Sequence, residues 1–111
     1  MELKKYRWSK TYEAAEVDLG ELLASKSIEA ERLDYQADQE LALGMHAKDK
    51  RIWCAEGSIM ITINSTQKIA LQAGDALNIP AFVPHQALAG FAGSVCYESP
   101  LPAQNPSIAA K

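Results

Sequence analysis

The sequence predicts an all-β jelly-roll barrel with a short N-terminal helical segment. Two observations carry this. From Ile28 onward apolar and polar residues alternate with a period near two, the signature of half-buried strands. Turn-forming clusters then recur every few residues, at Ala37-Asp38-Gln39, Glu56-Gly57, Asn64 to Gln67 and Gln72 to Asp75. About eight strands joined by short turns fit a double-sheet jelly roll, whose closure manages exposed strand edges.

Residues 1–27 form an extension packed on the barrel. Tyr12, Ala15 and Leu19 make a weak helical stripe. Asp18-Leu19-Gly20-Glu21 resembles a capping box with Asp18 at the cap, so a helix is expected over Leu19 to Ser25 with Leu22 and Leu23 turned inward. Trp8 and Tyr12 are expected to pack in the core or at a dimer contact.

Residues 28–98 form the barrel. Ile28 to Tyr35 is charged at alternate positions, as an exposed or edge strand would be. Leu41, Leu43 and Met45 alternate with Ala42, Gly44 and His46; in an extended strand Gly44 and His46 share one face, and if the apolar set packs in the layer between sheets and helix, His46 points toward the cavity. Arg51 to Ala55, Ser58 to Ile63, Lys68 to Leu71, Ala76 to Ile79 and Val95 to Glu98 read as further strands. Trp53 is expected in the interlayer core, and Ile59, Met60, Ile61 and Ile63 in the core or an interface. Residues 99–111, with Pro100, Pro102 and Pro106, read as an extended tail.

Bulk properties narrow the function. At 111 residues the chain fits one domain, and 48% hydrophobic with 23% charged residues is ordinary for a globular protein. The formal charge of −3 includes no basic stripe, which argues against a nucleic-acid surface. No apolar run approaches a membrane span and no secretory signal follows the basic start, so a cytoplasmic location is expected. Cys54 and Cys96 lie in strand-like segments without finger spacing, and free thiols are the expectation.

The chemistry-bearing stretch runs from Gly44 to His85 and contains both histidines of the chain, His46 and His85. One motif surrounds His46 and closes at Gly57; the other runs Gly74-Asp75, a strand, Pro80, then His85. This placement resembles the two motifs of the cupin superfamily, whose small barrels usually hold a divalent metal between three imidazoles and a carboxylate. Aligned on Gly57, the second motif histidine is His46, the first falls on Gly44 and the glutamate on Lys50. In the second motif Gly74, Pro80 and His85 fall in place, the usual glycine is Phe82 and the asparagine is Ala89. The resemblance covers about residues 28–98 and implies a cupin-type double-stranded β-helix and a homodimer.

Two imidazoles, His46 and His85, could hold a divalent Zn, Fe, Mn or Ni ion weakly, with other groups completing the shell. Lys50 at the carboxylate position repels such an ion. Asp49 is one residue off, and only a bulge would turn it inward. Cys54 shares the parity of Lys50 and could add a thiolate, although a small buried hydrophobe is its plainer role. Lys50, His46 and His85 together would make the floor positive and suit a small anionic ligand, a carboxylate or phosphate, unless Lys50 lies on the surface. Phe82 would be one wall of that pocket or would fill it. The expected function is small-molecule binding in the barrel. The alternatives are a metal-dependent enzyme of oxygenase or isomerase type, and a remnant with a filled cavity.

Overall fold

A computed structural model describes residues 2–11, 13 and 15–101. Tyr12, Pro102 and Pro106 lie outside the described residues. Among those described are seven strands and one helix: β1 (Lys4–Arg7), α1 (Glu16–Ser25), β2 (Glu31–Tyr35), β3 (Glu40–Gly44), β4 (Lys50–Ile63), β5 (Gln67–Gln72), β6 (Asp75–Ile79) and β7 (His85–Pro100). All described pairings are antiparallel.

Two long neighbouring strands organise the barrel. Along β4, Lys50 to Trp53 pairs with β6, which in turn carries β1, while Ser58 to Ile63 pairs with β5. Along β7, the end near Glu98 pairs with β2 and the end near His85 with β3. Each long strand therefore serves both layers, and the corner between layers is a bend within it. At that corner the β4–β7 register shifts between Cys54 and Glu56 and again between Gly57 and Ile59.

The Glu56-Gly57 turn expected from the sequence is thus a bulge inside one continuous strand. Gly57 has φ +71, and a Cβ there would lie 2.1 Å from the Gly93 carbonyl oxygen, so only glycine allows the two strands to meet. The last strand likewise extends well beyond Val95 to Glu98, because β7 answers β4 over nearly its whole length.

The barrel interior holds Ile52, Cys54, Ile59, Ile61, Ile63, Leu71, Leu77, Ile79 and Cys96. On the opposite face of β4, Trp53 and Ala55 pack with Leu19 and Leu23 of α1, joined by Trp8 and Tyr6. This places Trp53 in the interlayer core, as expected. The helix begins three residues before the predicted Leu19, and the capping pattern is displaced with it. Ala15 is the cap, and the Asp18 carboxylate accepts from the Ala15 N–H at 3.3 Å.

The N-terminal segment contributes a strand that four residues of sequence could not announce. Arg7 donates to the buried Asp75 at 3.1 Å and to the Ala73 carbonyl at 3.1 Å, while the Trp8 N–H reaches the Gly74 carbonyl at 2.8 Å. No described helix is long and apolar enough to cross a membrane.

Candidate functional site

His85 opens β7 and pairs with Gly44 of β3 and Ile63 of β4, which buries it between two strands. Its Nδ1 donates to the Val83 carbonyl at 2.9 Å, and in the tautomer this sets Nε2 is the acceptor. His46 follows β3 at the cavity rim, where its carbonyl accepts from the Phe82 N–H at 2.7 Å. The two rings lie 5.4 Å apart between centroids and are tilted by 37°.

Lys50, the first residue of β4, enters the cavity beside His46. Its side chain is only 12% exposed, and Nζ lies 3.0 Å from His46 Nε2 and 2.9 Å from Glu98 Oε1. An ammonium only donates, so His46 Nε2 accepts and its ring proton sits on Nδ1. His46 is held below its ordinary pKa by partial loss of hydration first, then by repulsion from Lys50 and His85; Glu98 opposes this.

A cavity of about 290 Å³ opens over this cluster. His46, Lys50, His85 and Glu98 form its polar end, and Ile52, Ile59 and Ile61 its apolar wall. Tyr35 also lines it, with its hydroxyl pKa pushed up by burial and by Glu98. A wider vestibule of about 470 Å³ shares His46, Lys50 and Glu98 and adds Glu29, Glu31 and Lys48.

Several sequence expectations are corrected. Cys54 does not line the cavity: it is fully buried, with Sγ against the Glu56 and Gly57 carbonyls at 3.6 and 3.7 Å. Its cross-strand partner Cys96 lines the cavity instead, its thiol pKa raised by the hydrogen bond to Cys54 and by burial. Phe82 does not line the cavity; it is 64% exposed, and its φ of +63 is a left-handed backbone that favours the glycine the cupin motif has there.

Gly44 and His46 line the cavity and Leu43 and Met45 lie on the other side, as alternation has it, but that side is exposed rather than packed under the helix; an extra residue between Leu41 and Gly44 brings Leu41 into the cavity as well. Asp49 stays outside the cluster, its Oδ1 accepting from the Ala81 N–H at 2.9 Å. Glu98 is the residue the sequence reading missed. It shares the parity of Cys96 in a strand that was recognised, and that alternation was the available signal.

The floor expected to be positive therefore carries its own counter-ion. The same arrangement fits a divalent metal poorly. A lysine ammonium occupies the Nε2 lone pair of His46, and no group of three or more His, Cys, Asp or Glu among the described residues could hold a metal ion.

No protein-family model matches the sequence, and no curated protein matches it. Solved structures do. A DUF861 family protein from Thermotoga maritima is 14% identical, with TM-score 0.62 over 90% of this chain and 100% of that one. A cupin-2 domain containing protein from Shewanella frigidimarina is 26% identical, with TM-score 0.55 over 65% of this chain and 69% of that one. The FeII HppE in complex with substrate is 17% identical, with TM-score 0.58 over 63% of this chain and 43% of that one. The fold these likenesses share with the chain is the cupin barrel.

Proposed function

We propose that this cupin-fold barrel binds a small organic molecule, its carboxylate or similar oxygen-rich head on Lys50 and its body against Ile52, Ile59 and Ile61. The observation that carries the reading is the position of Lys50: of three N–H donors on a nearly buried ammonium, His46 and Glu98 take two. The third remains for a ligand oxygen. His85 Nε2 and the second Glu98 oxygen supply acceptors beside it, which suits a head that also carries a hydroxyl. The open cavity supports this reading over a remnant with a filled barrel.

A thermal-shift panel of small carboxylates, hydroxy acids and inorganic phosphate tests the proposal. Hydroxy acids should raise the melting temperature of the parent and not of Lys50→Ala. Equal responses in both proteins would refute it.

The second reading, a divalent Zn, Fe, Mn or Ni ion at His46 and His85, draws support from the proximity of the two rings and from the FeII in one structural neighbour. It requires Lys50 to leave His46, and only this reading leads to metal-dependent oxygenase or isomerase chemistry. A homodimer belongs to the same proposal: Met60 and Leu88 stand opposite each other on the outer face of β4 and β7, both exposed.

A further inference from the structure

Alternation along β4 gives it two lined faces. Lys50 and Ile52 face the barrel, while Arg51 and Trp53 face a separate cavity of about 150 Å³ between α1 and the sheet. Tyr6, Trp8 and Trp53 supply its aromatic walls, and among the described residues its charged lining is Arg7, Lys26 and Arg51, with no carboxylate.

Arg51 is held by everything except its terminal nitrogens. Its guanidinium carbon lies 5.5 Å from the Tyr6 ring centroid and 5.8 Å from that of Trp53, and Nε donates to Asn78 Oδ1 at 2.6 Å. Among the described residues no carboxylate pairs with Arg51, and neither terminal nitrogen has a hydrogen-bond acceptor. No described side-chain nitrogen is both sealed from solvent and unpartnered, so these donors open to solvent or to the cavity.

Lys26 has no side-chain partner among the described residues either, whereas Arg7 is committed to Asp75 and three carbonyls. The end of α1 adds little opposing charge, since Lys26, Ser27 and Ile28 cap its last carbonyls.

We infer that this cavity is a second ligand site, selective for the carboxylate of a small apolar acid, with Arg51 as its fork and Lys26 as its second cation. A guanidinium with fixed faces and a free edge matches a carboxylate in bidentate fashion at little entropic cost. Aromatic walls favour an apolar body, and two cations compensate a carboxylate better than a strongly hydrated phosphate dianion.

The protein carries its own reporter, because both of its tryptophans, Trp8 and Trp53, line this cavity and neither lines the barrel. Benzoate titrated into the full chain should change tryptophan emission saturably, with benzyl alcohol and inorganic phosphate leaving it unchanged. Lys26→Gln, on an exposed residue, should weaken the response about tenfold, and Arg51→Gln, checked for fold by circular dichroism, should abolish it. Lys50→Ala should leave it intact, which separates this site from the barrel pocket. No saturable change, an undiminished response in both Lys26→Gln and Arg51→Gln, a response lost in Lys50→Ala, or a stronger response to phosphate would each overturn the assignment.

Discussion

Lys50 donates to His46 Nε2 over 3.0 Å, so a cation occupies the place where the cupin motif puts a metal-binding glutamate. Replacing it should reverse the preference of the site. Lys50→Glu frees the imidazole lone pair and changes the local charge by two, which for a divalent ion is worth on the order of a hundredfold in affinity. Calorimetry with Zn or Ni should show this gain, and a further His46→Ala change should remove it. Equal affinity in parent and variant would mean that Lys50 is not what keeps metal out.

The surroundings of His46, lost hydration first and the Lys50 charge second, make stability depend on pH. The folded pKa of His46 lies below its ordinary 6.5, through lost hydration, Lys50 and His85. Between the two values the unfolded chain binds more protons, so this contribution is complete above the ordinary pKa and is lost as pH falls toward the folded one. Urea unfolding from about pH 7.5 down to about pH 5 should show declining stability, flattened in His46→Gln. Because His46 sits at the rim, added salt should shrink the effect. A variant as pH-sensitive as the parent would assign the decline elsewhere.

Much of this site was legible because cupin spacing marks His46, Lys50 and His85 without any knowledge of register. What could not be read was phase. One extra residue in β3 moved Leu41 into the cavity, the face that Leu43 and Met45 share met solvent rather than the helix layer, and a bulge after Cys54 joined two apparent strands into one. Simple parity fails at such points because bulges depend on pairing across the sheet. Strand β1 was hidden for another reason: Lys4 to Arg7 is too short to show a period, and pairing with β6 makes it a strand.

Phe82 offers a test of backbone strain away from the core. Its φ of +63 costs a non-glycine residue about 1–2 kcal/mol, and its exposure means that the ring contributes little burial. Phe82→Gly should therefore be at least as stable as the parent and about 1 kcal/mol more stable than Phe82→Ala, which keeps the strain. A loss of about 3 kcal/mol or more in Phe82→Gly, the range for a buried ring, would show that the side chain packs against something substantial.

Two glycines should respond in opposite directions to the same change. At Gly57 a methyl group would meet the Gly93 carbonyl oxygen at 2.1 Å and Ser94 Cα at 3.2 Å, on a backbone already at φ +71. Neither neighbour is a flexible side-chain end, so Gly57→Ala must shift the corner between layers, at about 2–4 kcal/mol. Gly20 lies exposed in α1 with nothing within 4 Å of a built Cβ. There alanine should gain about 0.5–1 kcal/mol through helix propensity. Denaturant midpoints of the two variants should bracket the parent; a Gly57→Ala protein matching it would mean that β4 and β7 do not cross so closely at the bend.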